Sequence, residues 1–134
     1  MVIERNIVEV RVGKAAPQEL PVVLSIYRAH NGDCRDVGCH NTYVARNDSL
    51  GVVGAVTIKE VQPGWAQLRT MGVEPELRGR GIGTQLALSV IDELRKQGYR
   101  TVTVDLDLME PRQKEFFGKL GFQQLDSHSM VRYL

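Results

Sequence analysis

The stretch "PELRGRGIGTQL", residues 75–86, sets three glycines and two arginines directly ahead of a run with helical periodicity. The first N–H groups of a helix lack an intrahelical partner, and the macrodipole adds partial positive charge there. Glycine removes the side chain that would hold a ligand off and lets successive N–H groups converge on an anion. Arg78 and Arg80 add full charges suited to phosphate. The chemistry indicated is a pyrophosphate cradle. The residues also leave open a plainer reading, a glycine-rich turn with two solvated arginines.

Common phosphate motifs narrow the ligand. A Walker loop requires G-x-x-x-x-G-K-S/T, but Gly13-Lys14 is followed by Ala15 and Gly118-Lys119 by Leu120. The dinucleotide fingerprint G-x-G-x-x-G also fails: counted from Gly79 its last glycine is Thr84, and counted from Gly81 it is Leu86. That fingerprint normally opens the first βα turn of a larger sheet, whereas several strands precede this one.

A second group of reactive side chains is "HNGDCRDVGCHN", residues 30–41. Its H-x₃-C-x₄-C-H spacing falls loosely within zinc range. Cys39 and His40 are adjacent, however, and neighbouring side chains do not easily share one tetrahedral ion. The segment reads as a polar loop, and no metal is expected.

The rest of the chain must position these groups. With 134 residues, 43% hydrophobic and 25% charged, it is long enough and apolar enough for one domain with a real core, residues 1–134. Seventeen basic side chains against sixteen acidic ones give no footprint for nucleic acid. No stretch is apolar enough for a membrane span, and "MVIERNIVEV" does not read as a signal peptide, so a cytoplasmic location with reduced cysteines is expected.

Alternation predicts a strand over 7–12, and Leu20, Val23, Leu24 and Tyr27 predict a helix within 17–30. "TYVAR" (42–46) and "LGVVGAVTIKEV" (50–61) form a hairpin about "NDS", followed by "WAQLRTMGV" (65–73) as a third antiparallel strand. Ile82, Leu86, Val90, Ile91 and Leu94 mark a helix that Gly98 ends. A strand over 101–108, with Val102, Val104, Leu106 and Leu108 on one face, leads to a helix begun by Pro111 and closing strands in 121–134. The fold class is α/β: a mixed, mostly antiparallel sheet with helices on both faces.

The segment "VEPELRGRGIGTQL" (73–86) resembles the central motif of the Gcn5-related N-acetyltransferases, R/Q-x-x-G-x-G/A, through Arg78, Gly81 and Gly83. Val73, Pro75, Gly79, Ile82 and Leu86 suit the pattern around it, "EFFGKLGF" (115–122) resembles a later segment, and "MVRYL" the last strand. The resemblance implies the acyl-CoA N-acyltransferase fold, with acetyl-CoA as co-substrate and an amine of a small molecule or peptide as acceptor. N–H groups from Gly79 to Thr84 would hold the CoA pyrophosphate, with Arg78, Arg80, Gly81, Ile82 and Gly83 in the same segment. Strand 65–73 would splay from strand 101–108, and pantetheine would pair with the main chain near Met71 and Val73. The Met71 N–H would polarise the thioester carbonyl. The amine would attack directly, so no protein nucleophile is implied. The 30–41 loop would border the acceptor pocket, where Asp33, Asp36, His30 and His40 could meet a cationic amine. Dimerisation, through a strand such as 128–134, is an expectation by fold analogy.

Aligned on "FFGKLGF", the family's N-x-x-A-x-x-x-Y segment becomes Glu110, Gln113 and Phe117. Glu110 and Phe117 would therefore border the cofactor, but Phe117 cannot protonate the leaving thiolate as the tyrosine does. Water or another group could do so, since a thiol pKa of about 8.5 makes thiolate a tolerable leaving group. The alternative is an acyl-CoA-binding sensor or regulatory module with little turnover. Strand 65–73 carries no carboxylate, which leaves Glu60, Glu74, Asp107 and Glu110 as candidate bases.

Overall fold

The computed structural model describes residues 6–107 and 109–134. Its elements are β1 (Arg11–Lys14), α1 (Leu20–Ala29), β2 (Thr42–Asn47), β3 (Gly51–Gln62), β4 (Trp65–Val73), α2 (Ile82–Lys96), β5 (Thr101–Asp105), α3 (Pro111–Lys119), β6 (Gln123–Gln124) and β7 (Ser129–Tyr133). The strands form one mixed sheet in the order β1-β2-β3-β4-β5-β7-β6. The chain divides into two compact units: residues to Thr57 with Thr70–Val90, and Ile58–Arg69 with Ile91–Leu134.

In the first unit, β1 pairs antiparallel with β2 from Arg11↔Arg46 to Lys14↔Tyr43, and β2 with β3 from Thr42↔Thr57 to Asn47↔Gly51. The apolar stripe of α1 supplies Val23, Ile26 and Tyr27 to a core shared with Ala15, Val44 and Ala55. Pro21 lies in the first turn of α1, where a missing N–H costs least. The other end closes by a Schellman pattern. Asn31 takes φ 54°, and the Gly32 N–H donates to the Tyr27 carbonyl at 2.8 Å. His30 is thereby fixed as the last residue before the chain turns.

A buried polar chain crosses this core. Thr42 Oγ1 donates its proton to Asn41 Oδ1 at 3.1 Å, so Thr57 must donate to Thr42 (2.9 Å) and Tyr27 to Thr57 (2.9 Å). Burial pushes the Tyr27 hydroxyl well above its ordinary pKa, which keeps it a donor. Asn41 also accepts from the Gly38 N–H and donates to the Asp36 carbonyl, so its amide organises the end of the 30–41 loop.

In the second unit β5 pairs parallel with β4, Trp65↔Thr101 to Gln67↔Thr103, and antiparallel with β7, Thr101↔Tyr133 to Asp105↔Ser129. Parallel neighbours require a crossover, and α2 lies between the two strands in sequence. Gly98 (φ 94°) closes α2, with the Tyr99 N–H on the Leu94 carbonyl at 3.0 Å.

Two strand boundaries, the start of β1 and the end of β5, depart from the sequence expectation by more than two residues. Residues 7–10 alternate like a strand, yet β1 begins only at Arg11. Alternation reports an extended, half-buried backbone and not its partner: the Val8 N–H goes to the Arg80 carbonyl and the Val10 N–H to Gln85 Oε1. β5 stops at Asp105 because that carboxylate accepts the Asp107 N–H at 2.9 Å, a local bond that competes with the ladder. Leu108, placed by sequence on the apolar face of that strand, lies outside the described residues.

Candidate functional site

After β4 the chain is held by the Glu74 N–H on the Val53 carbonyl (2.8 Å) and makes one 3₁₀ turn over Pro75–Leu77. Gly79 and Gly81 then adopt φ 77° and 80°, while Arg80 between them keeps φ negative. Such alternation points successive N–H groups to one side and forms an anion-binding concavity. The left-handed region costs other residues roughly 1–2 kcal/mol, so both positions favour glycine.

Gly81 is also the residue directly before α2. The Gln85 N–H donates to the Gly81 carbonyl at 3.1 Å, the first helical bond. The N–H groups of Ile82, Gly83 and Thr84 precede it and have no carbonyl one turn earlier within the helix. Ile82, Leu86, Ala87 and Val90 are buried, which fixes the axis of this end of the helix. Arg80 and Thr84 remain exposed.

Sequence reasoning missed what secures the loop from the other side. Gln85 accepts from the Val10 N–H at 3.2 Å and donates to the Val8 carbonyl at 2.7 Å and the Gly81 carbonyl at 3.2 Å. With the Val8 N–H on the Arg80 carbonyl at 3.0 Å, residues 8–10 are laced to the glycine segment. A carboxamide inside the first helical turn was the available signal, but its partners lie about 75 positions away.

The structure brings several expected site residues together at the end of β4. His30 Nε2 lies 2.7 Å from the Val73 carbonyl and its Nδ1 2.6 Å from Arg78 Nη2. The Asp33 carbonyl accepts from Thr70 Oγ1 at 2.9 Å, so the start of the 30–41 loop is fastened beside Met71. The Asp33 carboxylate accepts from the Arg35 guanidinium at 2.9 Å. Asp36 sits at φ 59° and is exposed, as is His40. Cys34 is half-buried against the α1 core, with its thiol on the Gly32 carbonyl. Among the described residues no three metal-ligating side chains gather.

The remaining candidates belong to the second unit. Glu60 accepts from the Tyr99 hydroxyl at 2.9 Å. Glu110 precedes α3, its N–H on Gln113 Oε1 and its carboxylate 3.3 Å from Arg112. Phe117 is buried, edge-on to Phe116 and Phe122 at 5.1 and 5.3 Å. Asp107 lies 2.9 Å from His128 Nδ1, a partner that no local pattern indicates.

The hydrogen bond and charge of Asp107 raise the His128 pKa above its ordinary value. A raised folded value means this pairing is complete below about pH 6.5 and lost as pH rises through the folded pKa. An NMR titration should show His128 titrating above the ordinary imidazole value, and Asp107→Asn should bring it down. An unchanged titration in that variant would refute the pairing.

Comparison with known proteins follows the same lines. The sequence pattern described as "Acetyltransferase (GNAT) family" matches residues 14–122. Rat N-acetyltransferase 8B is 32% identical over 77 residues, 56% of this chain and 35% of that protein. This chain thus spans about a third of that relative. The structure of a GCN5-related N-acetyltransferase from Kribbella flavida superposes with a TM-score of 0.77 at 18% identity, covering 93% of this chain and 98% of the other. N-acetylglutamate synthase from Neisseria gonorrhoeae, complexed with coenzyme A and L-arginine, gives 0.78 at 18% identity over 94% of this chain and 33% of its own. The chain belongs to the GNAT acetyltransferase family. No helix among the described residues is long and apolar enough to cross a membrane.

Proposed function

We propose that this chain is an acetyl-CoA-dependent N-acetyltransferase that moves an acetyl group to a primary amine of a small molecule or peptide. The observation that carries the reading is the left-handed pair Gly79 and Gly81 at the mouth of α2. Its converging N–H groups suit the diphosphate of CoA, the co-substrate class seen with structural neighbours. The family match runs through both compact units, which supports reading residues 1–134 as one catalytic domain.

In this reading pantetheine pairs with the main chain of Met71 and Val73, and the Met71 N–H stabilises negative charge on the thioester oxygen. The amine attacks the carbonyl carbon. A C–N bond forms, the C–S bond breaks, and the thiolate leaves. A base, directly or through water, removes the proton of the attacking amine. Holding both reactants in line supplies much of the acceleration. Asp33, Asp36 and His40 belong to the loop anchored beside β4 and are the acceptor-side candidates. Incubation with acetyl-CoA and an amine panel should release free thiol with at least one amine. Tight CoA binding without thiol from any amine would replace this reading with that of an acyl-CoA-binding module.

Phe117 is the observation that favours that second reading. It occupies the position of the family's proton-donating tyrosine and cannot donate. Phe117→Tyr is expected to raise kcat by roughly 10-fold or more, a part of the 10²–10⁴-fold that general acid catalysis typically supplies. An unchanged kcat would mean that thiolate protonation does not limit turnover.

A further inference from the structure

We propose that His30 is a positioning residue for acyl-CoA, one imidazole that ties the end of β4 to the motif arginine. The inference rests on the acyl-CoA reading above and assigns a different job to two residues than sequence logic does. Arg78 reads in sequence as a phosphate ligand and His30 as an acceptor-pocket residue. The structure joins them to each other.

The chemistry of the contacts fixes what each side of the ring does. The Val73 carbonyl can only accept, so Nε2, 2.7 Å away, carries the proton. Arg78 Nη2 lies 2.6 Å from Nδ1. The same guanidinium nitrogen is 3.4 Å from Nε2, whose proton is already committed to Val73. A nitrogen this near both ring atoms lies over the ring face and not along the Nδ1 lone pair, so the guanidinium packs on the imidazole while Nε2 holds Val73.

The ring itself cannot drift. His30 is set by the Schellman turn that ends α1, with its own N–H on the Tyr27 carbonyl at 3.1 Å. Its Cδ2 lies where a side chain on Gly72 would be, 3.2 Å from an ideal Cβ, so it rests against bare β4 backbone. His30 thus closes the bend between Val73 and Arg78. Val73 is where pantetheine pairing is expected, and Arg78 adjoins the left-handed glycines. A single side chain therefore sets the spacing between the two parts of the cofactor's binding track.

The test is CoA binding by calorimetry, with kcat and KM for acetyl-CoA, in wild type, His30→Ala, Arg78→Ala, the double variant and His30→Gln. A bond from a charged donor corresponds to about 10-fold in affinity or somewhat more. His30→Ala and Arg78→Ala should each weaken CoA about 10-fold, mainly through KM. The double variant should be no worse than either single one. His30→Gln, which keeps a donor for the Val73 carbonyl and a planar face for the guanidinium, should recover part of the loss. Wild-type affinity in His30→Ala, or single losses that multiply in the double variant, would overturn the inference while leaving the CoA site standing. Loss of CoA affinity in Arg78→Ala alone would do the same, since the arginine would then act without the histidine. Absence of CoA binding by the wild type would overturn the acyl-CoA reading and this inference with it.

Discussion

Gly81→Asp is expected to weaken CoA binding at least about 100-fold while the protein remains folded. Three effects act together. Gly81 has φ 80°, a region that strains other residues by about 1–2 kcal/mol, somewhat less for aspartate. A Cβ there would lie 3.1 Å from Ile7 Cδ1, so the laced segment must give way. The largest effect is the carboxylate itself, set where the diphosphate is to sit. Two like charges about 4 Å apart repel by about 4 kcal/mol at an effective dielectric of 20, and 100-fold corresponds to only about 2.7 kcal/mol. Gly81→Ala separates the contributions, because it keeps strain and crowding but adds no charge; its loss should be about 10-fold. Calorimetric titration with CoA measures both, and circular dichroism verifies the fold. Retention of affinity in Gly81→Asp to within a few-fold would remove the cradle from the account.

Gly72→Val should have the second large effect, this time on stability as well as binding. A Cβ at Gly72 would stand 2.9 Å from Ile26 Cγ2, 3.2 Å from His30 Cδ2 and 3.5 Å from Tyr27 Cδ1. Ile26 and Tyr27 are buried in the α1 core and cannot swing into solvent. Overpacking of this kind costs about 1–3 kcal/mol, and valine adds two further methyl groups. Tm should fall by several degrees in a thermal melt. Because the displaced ring is His30, CoA affinity should fall too, even at temperatures where the variant is fully folded. A melt indistinguishable from wild type would contradict the packing of α1 on β4.

Local patterns carried much of this architecture. The α2 stripe Ile82, Leu86, Val90, Ile91 and Leu94 is buried throughout, because helical period and burial are the same statement for an amphipathic helix. β4 spans Trp65–Val73, the range read from sequence, since a turn before it and Pro75 after it leave little freedom. Glycine permits the left-handed turns at Gly79 and Gly81, but residue type alone does not assign them, since Gly83 in the same stretch is helical.

Long-range partners were not legible. Nothing near Gln85 indicates that it binds the backbone at Val8 and Val10, and nothing near His30 indicates Val73 and Arg78. Both depend on how distant segments meet, which hydrophobic period does not encode. Charge and motif position suggest phosphate for Arg78, and its contact with His30 Nδ1 at 2.6 Å has no local signal beside that. The Asp107–His128 pair follows from the turn after β5, whose Leu106 N–H is drawn to the His128 carbonyl at 2.7 Å.

The most direct test of the cradle compares CoA with pantetheine, which lacks the diphosphate, in wild type and Gly81→Asp. The account predicts that wild type prefers CoA by at least about 100-fold and that Gly81→Asp brings the two ligands to within about 10-fold, since the discriminating contact is electrostatic. Equal affinity of wild type for CoA and pantetheine, or a preference that survives in Gly81→Asp, would contradict it.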